Sequence, residues 1–170
     1  RTKEEVGAIM KLLKSYILDF FKSYDNNIKV RVIGRTDDLP KDIYSEIKKV
    51  EEKTKNNTGL VLNIAFNYGG RDEITTATKK IAEKVKNGEL NIEDITEELI
   101  SNNLYTAGQP DPDLLIRTSG EERISNFLTW QISYSEFVFS DKYWPAFSNQ
   151  DLLETIAIYQ KRTRRFGGNK

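Results

Sequence analysis

Arg117 directly follows the apolar run Leu114-Leu115-Ile116, and the loop Thr118-Ser119-Gly120-Glu121-Glu122 delivers Arg123 and Ser125 shortly after it. Two guanidinium forks and a hydroxyl are groups that hold a diphosphate, through charge-assisted and bidentate bonds to its oxygens. The spacing predicts that Arg123 and Ser125 enter the first turn of a following helix, whose free N–H groups and positive dipole end reinforce the anion. A second reading pairs Arg117 with Asp111 or Asp113, and Arg123 with Glu121 or Glu122, as surface ion pairs. The spacing matches no standard phosphate motif, so both readings stand on the residues alone. Glu136 enters the last apolar run among Tyr134, Phe137 and Phe139. A carboxylate there needs a cation or water, and magnesium bridging to a diphosphate and a structural salt bridge are both open to it. Asn67-Tyr68-Gly69-Gly70 reads as an anion loop before a helix or as a plain tight turn.

The absent residue types narrow the chemistry further. The 170-residue chain has no His and no Cys. That excludes a Ser-His-Asp triad, a thiolate nucleophile, an HExxH zinc site and any disulfide framework. Chemistry must come from carboxylates, Arg, Lys, hydroxyls, amides or an oxygen-bound cation. Lys plus Arg and Asp plus Glu each number 26, which removes the basic footprint of a general nucleic-acid binder. No apolar run approaches the length of a membrane span, and the opening Arg1-Thr2-Lys3-Glu4-Glu5 is not a signal peptide.

The elements that must position these residues follow from periodicity. Val6, Ile9, Met10, Leu13, Ile17, Phe20, Phe21 and Tyr24 recur at helical spacing, with Thr2 and Glu5 as a capping box. Val30 to Ile33 reads as a strand, and Asp37-Asp38-Leu39-Pro40 opens a helix carrying Ile43, Ile47 and Val50. The run from Leu60 to Phe66 is a strand, followed by a helix through Ile74, Ala77, Ile81 and Val85 that ends at Asn87-Gly88. A short helix lies around Ile92, Ile95 and Leu99, then a strand at 114–116, a helix through Phe127, Trp130 and Ile132, and a strand at 137–139. A terminal helix opens at Ser148 with Asp151 as box partner and closes at Gly167, its cationic last turns (Lys161, Arg162, Arg164, Arg165) complementing the dipole. Alternating strands and helices predict an α/β fold, a mostly parallel central sheet flanked by helices, in one domain over residues 1–170. Ligands of such folds sit beyond the carboxyl ends of the strands, which singles out residues 67–71 and 117–125.

The stretch from Asp113 to Gln131 resembles the signature of the cis-prenyltransferases, most closely the bacterial undecaprenyl diphosphate synthase branch. Leu62 to Arg71, Ser135-Glu136-Phe137, Tyr143-Trp144-Pro145 and Arg164 to Gly168 match in the same order. The resemblance implies condensation of isopentenyl diphosphate onto an allylic diphosphate such as farnesyl diphosphate, with a cis double bond at each step. The product would be a long-chain polyprenyl diphosphate, a carrier lipid for cell-wall synthesis. It implies that Arg117, Arg123, Ile124 and Ser125 bind isopentenyl diphosphate, that Arg1 contacts the allylic diphosphate, and that Glu136 associates with Mg2+. Arg165 and Gly167 match an Arg-x-Gly element that reaches a partner subunit's site, so a homodimer is implied. A cytoplasmic protein with peripheral membrane contact through its lipid product completes the picture.

The family's catalytic Asp stands in an Asp-Gly-Asn-x-Arg-Trp loop, which occurs nowhere in the chain. That Asp is therefore expected upstream of Arg1, and the polypeptide as written is expected to be inactive. Two other readings are a non-catalytic accessory subunit of a heteromeric relative and a generic diphosphate-binding α/β module. The first is countered by retention of Arg117, Arg123 and Ser125, the second by the full run of motifs. The all-helical trans-prenyl synthases are excluded by the strands, and Asp37-Asp38 is followed by Leu-Pro-Lys rather than completing DDxxD. Leu60, Leu62, Ile64 and Phe66 share one strand face, as core or as the wall of a hydrophobic tunnel.

Overall fold

Burying β-branched strands against helices needs each strand to carry its apolar residues toward a helix stripe, and the chain does this in two compact units, Arg1–Tyr68 and Gly69–Lys170. The computed structural model describes Gly7, Ala8, Leu12, Ser15 and residues 27–163. Those first four positions are helical and exposed, as positions off the apolar stripe of the expected first helix should be. The stripe itself, and the Thr2–Glu5 box, lie outside the described residues.

In the first unit, β1 (Lys29–Ile33) and β2 (Val61–Ala65) pair in parallel, with α1 (Lys41–Thr54) between them in sequence. Pro40 sits at the N-cap of α1, where its fixed φ suits helix entry. Val30, Leu39, Ile43, Ile47 and Val50 form the core, with Leu62, Ile64 and Phe66 packed against it. Of the two roles open to the β2 face, that packing shows core; Leu60 stands outside it, exposed. The edge of β1 away from β2 is covered by side chains of α1: Thr54 Oγ1 accepts from Val30 N–H (3.1 Å) and Glu51 Oε1 from Val32 N–H (3.0 Å). Strand N–H groups that would otherwise template another chain are thereby satisfied.

The second unit contains α2 (Gly70–Lys86), a 3-10 turn (Ile92–Asp94), α3 (Glu97–Ser101), β3 (Leu114–Arg117), β4 (Glu136–Phe139), a second 3-10 turn (Trp144–Ala146) and α4 (Asn149–Gln160). β3 and β4 are parallel, Leu114 opposite Glu136 and Arg117 opposite Phe139. Strands are thus parallel as expected, and among the described residues they form two two-stranded sheets. The single helix expected around residues 92–99 is split, because Ile95 is extended and Thr96 recaps the chain by accepting from Leu99 N–H. α2 ends at Lys86 with Asn87 as its cap and Gly88 at φ 71°, a left-handed exit that glycine makes without strain. α4 ends at Gln160 with Lys161 as its cap, earlier than the expected closure at Gly167, which lies outside the described residues.

The largest departure concerns residues 125–134. The helix expected through Phe127, Trp130 and Ile132 is replaced by consecutive turns, with Ser125, Asn126 and Leu128 at φ 47°, 64° and 45°. Left-handed residues cannot continue a right-handed helix, and a Leu there carries backbone strain.

Ile47 is 0% exposed. Ile47→Ala should cost about 2–5 kcal/mol and Ile47→Val about 0.5–1.5 kcal/mol in urea denaturation followed by circular dichroism; equal midpoints for the two variants would contradict this core. At α4, Ser148 and Asp151 form a reciprocal capping box, and Lys142 Nζ donates to Asp151. Lys142, and then Ser148, hold the Asp151 carboxyl well below the usual carboxylate range. A depressed carboxylate stabilises the fold above its ordinary pKa of 3.8 and loses that contribution as pH falls through the depressed value. Asp151→Asn should therefore flatten the acid limb of the stability–pH profile below about pH 4, and an unchanged limb would rule the linkage out.

Candidate functional site

Arg117 closes β3, so its side chain leaves the sheet at the carboxyl end of the strand, where α/β folds present ligands. The chain then turns sharply through Ser119 (φ 75°) and Gly120 (φ 68°). That turn is fastened to the segment after β4, with Ser119 N–H donating to Lys142 O (2.7 Å) and Gly120 N–H to Ser140 O (2.9 Å). The returning loop passes Arg117 closely: Arg117 Nη1 donates to the backbone O of Arg123 and to Ser125 Oγ, the latter at 3.0 Å. Leu115, Ile116, Arg117, Thr118, Ser119, Ile124 and Phe127 line a cleft of about 340 Å³ here. The lining combines the Arg117 guanidinium and the Thr118 and Ser119 hydroxyls with the apolar side chains of Leu115, Ile116, Ile124 and Phe127, a mixture suited to an anionic head carrying an apolar body.

The structure therefore brings together Arg117, Arg123, Ile124 and Ser125. Arg117 does not pair with Asp111 or Asp113; it is turned onto the loop. Arg123 does pair with Glu121, as the surface ion-pair reading expected, and its side chain is 65% exposed. The helix N-terminus expected behind Ser125 is absent, since residues 125–134 are turns. An anion at this site would rely on guanidinium and hydroxyl groups without that dipole.

A real helix N-terminus lies nearby at α2, but its N–H groups are engaged. Gly70 N–H donates to Asn126 O (2.7 Å) and Arg71 N–H to Asn126 Oδ1 (2.9 Å). The Gly69-Gly70 pair serves close packing, because a Cβ on Gly69 would lie 2.8 Å from Asn126 Nδ2 and one on Gly70 2.4 Å from Thr129 Oγ1. The anion-loop reading of that stretch loses the Gly70 and Arg71 N–H donors to Asn126, and the chain there bends at Asn67 (φ 48°) and runs extended through Gly69 into α2.

Glu136 is set apart. It starts β4 opposite Leu114, three ladder steps from the pair containing Arg117, or about 10 Å along the strands at ~3.3 Å per residue. Its Oε2 accepts from Arg162 Nη1 at 2.8 Å, and the same nitrogen donates to Phe137 O at 2.9 Å. One carboxylate already engaged by a guanidinium does not make a cation site by itself. Among the described residues no group of metal-ligating side chains gathers around it. These residues do not fit a magnesium ion shared between Glu136 and the Arg117 cleft. Arg1, Arg165 and Gly167 lie outside the described residues.

Sequence reasoning missed Glu73 and Asn126. Glu73, on the first turn of α2, is 2% exposed. Its Oε1 accepts from Tyr105 N–H (2.6 Å) and its Oε2 from Gln131 Nε2 (3.2 Å), while the same Gln131 nitrogen reaches Thr106 Oγ1 (3.0 Å). In sequence it passes for an ordinary acidic residue near a helix start.

Comparison with known proteins gives a consistent answer. The family described as "Putative undecaprenyl diphosphate synthase" matches residues 1–167. A ditrans,polycis-undecaprenyl-diphosphate synthase of Micrococcus luteus, named as (2E,6E)-farnesyl-diphosphate specific, is 52% identical over 169 residues, covering 99% of this chain and 68% of the relative. A tritrans,polycis-undecaprenyl-diphosphate synthase of Methanocaldococcus jannaschii, named as geranylgeranyl-diphosphate specific, is 54% identical over 172 residues, covering 98% of this chain and 61% of the relative. The chain thus spans about two thirds of the length of such relatives. Among solved structures, lavandulyl diphosphate synthase from Lavandula x intermedia in complex with dimethylallyl diphosphate superposes with a TM-score of 0.95 at 37% identity, covering 99% of this chain and 73% of that one. A probable undecaprenyl diphosphate synthase from Campylobacter jejuni gives 0.87 at 35% identity, covering 99% and 77%.

The Glu121 carboxylate competes with any anion for Arg123. Exposed ion pairs contribute about 0.2–1 kcal/mol, so Glu121→Gln should tighten inorganic diphosphate binding about 1.4- to 5-fold in calorimetry. Weaker binding by this variant would show that Arg123 is not the competing cation.

Proposed function

The chain belongs to the undecaprenyl diphosphate synthase family of prenyltransferases, and from that premise we propose that the full-length protein is a cis-prenyltransferase that condenses isopentenyl diphosphate with an allylic diphosphate. The observation that carries this reading is the cleft at the end of β3, where Arg117 and the Arg123–Ser125 loop meet an apolar wall of Leu115, Ile116, Ile124 and Phe127. In a head-to-tail condensation isopentenyl diphosphate keeps its own diphosphate while the allylic partner loses one. A cradle for the retained group must therefore hold and orient rather than assist departure, which is positioning catalysis. Arg117 and Arg123 supply charge-assisted bonds, Ser125 a hydroxyl, and Ile124 with Phe127 an apolar seat for the short hydrocarbon.

Arg1 is proposed to contact the allylic diphosphate. The product is proposed to be a long-chain polyprenyl diphosphate, a carrier lipid for cell-wall synthesis. Relatives are named for farnesyl or for geranylgeranyl diphosphate, so the primer is an experimental variable. A magnesium requirement, met by ligands other than the Glu136–Arg162 pair and the Arg117 cleft, homodimerisation with Arg165 and Gly167 reaching the partner's site, and peripheral contact with a membrane in the cytoplasm belong to the same proposal. No described helix is long and apolar enough to cross a membrane.

Full-length protein incubated with radiolabelled isopentenyl diphosphate, magnesium and either farnesyl or geranylgeranyl diphosphate should yield label in long polyprenyl products on reverse-phase chromatography. Arg123→Ala should raise KM for isopentenyl diphosphate, since a hydrogen bond to a charged group is worth about 1.5–3 kcal/mol, or roughly 10- to 150-fold. Absence of chain growth with every primer would refute the assignment.

A further inference from the structure

The segment after Arg123 forms no continuous helix, its local backbone bonds being isolated ones such as Phe127 N–H to Ile124 O (3.0 Å) and Ile132 N–H to Leu128 O (3.1 Å), and between residues 125 and 128 it holds three left-handed non-glycine residues, Ser125, Asn126 and Leu128. Such a conformation persists only where its surroundings over-determine it. Here the surroundings are the first turn of α2. Asn126 faces that turn with two acceptors at once, its backbone O on Gly70 N–H and its Oδ1 on Arg71 N–H. Thr129 lies so close that a Cβ on Gly70 would come within 2.9 Å of its backbone N. Two residues further on, Gln131 is bonded to Glu73 on the same turn of α2. Residues 126–131 are thus clamped along the start of the helix, and Ser125 is the residue immediately before the clamp.

We propose that Asn126 is a positioning residue for the isopentenyl diphosphate cradle, and that Gly70 is the receptor against which it sets the loop. Asn126 fixes where Ser125 Oγ and the Arg123 carbonyl lie; those two acceptors fix Arg117 Nη1, and so the direction of the Arg117 fork. The inference rests on the cis-prenyltransferase reading and adds to it two residues outside the cleft lining. Asn is suited to the task because it tolerates the left-handed region and offers a side-chain acceptor to a helix N-terminus.

Two variants of the full-length protein separate positioning from stability. Asn126→Gly keeps the left-handed backbone accessible and the carbonyl in place but removes Oδ1. Gly70→Ala changes no loop residue and inserts a Cβ where Thr129 sits. Both should raise KM for isopentenyl diphosphate about 10-fold or more, with KM for the allylic diphosphate changed less than about 2-fold, the pattern of a displaced binding loop. Thermal melting followed by circular dichroism should remain cooperative in at least one of them. If the unaltered protein incorporates no isopentenyl diphosphate, the functional reading fails and the inference falls with it. If the unaltered protein turns over and both variants keep its KM values, only the positioning role is overturned. Non-cooperative melting of both variants, or equal rises in both KM values, would likewise overturn it, because Asn126 would then be a stability element alone.

Discussion

A helix begins with backbone N–H groups that its own geometry cannot satisfy, and at α2 that deficit organises the second unit. The N-cap is Gly69, which has no side chain to cap with. The acceptors come instead from Asn126 in the loop after β3. Because both acceptors belong to one residue, the loop must approach closely, and Gly69 and Gly70 leave the room for it. The left-handed turn at 125–126 follows from that approach. The position of Ser125, the grip on Arg117 and the shape of the cleft follow in turn. This also explains why the apparent anion loop before α2 is no anion site, since the donors an anion would use are engaged by the loop.

This constraint marks the boundary of what could be read from the residues. Among the described residues of the first unit the strands and α1 follow local periodicity, and α1 and β2 stand where β-branched runs and the 3.6-residue stripe of Ile43, Ile47 and Val50 put them. Ser148 with Asp151 is a local signal and is realised as a capping box. Phe127, Trp130 and Ile132 also carry apolar spacing compatible with a helix, but the competing bond, from Gly70 N–H to Asn126 O, spans a long stretch of chain that no local window contains. Glu73 is invisible for a related reason: an acidic residue in a first turn is favoured by the dipole whether or not it is buried. Arg117, Arg123 and Ser125 stand out as candidates in the sequence because Arg117 ends a strand and the loop after it carries the other two. Their mutual geometry was not, since Arg117 was expected either to bind an anion or to pair with a nearby Asp, and it holds the loop.

Arg117 pointing at its own loop clarifies the division of labour in the cleft. A guanidinium carries several N–H donors in a rigid plane, so committing Nη1 to Arg123 O and Ser125 Oγ orients the whole fork. An Arg fixed in this way loses little further rotamer freedom when a ligand arrives, whereas a freely rotating one gives up about 2 kcal/mol of side-chain entropy at most. Preorganisation of Arg117 is therefore structural, and it depends on the clamp at α2 rather than on the ligand.

Arg123 represents the opposite solution. It is largely exposed and paired with Glu121, so it is held in water by a contact that salt screens easily. In the proposed function a diphosphate, which carries more negative charge than one carboxylate and offers oxygens to both guanidiniums, would displace Glu121 while Arg117 stays in place. A site built this way would gain orientation from its half-buried, loop-bound Arg and reversibility from its exposed one. Repeated chain elongation needs both, because each cycle must seat a fresh isopentenyl diphosphate in the same geometry and then let the lengthened product leave it.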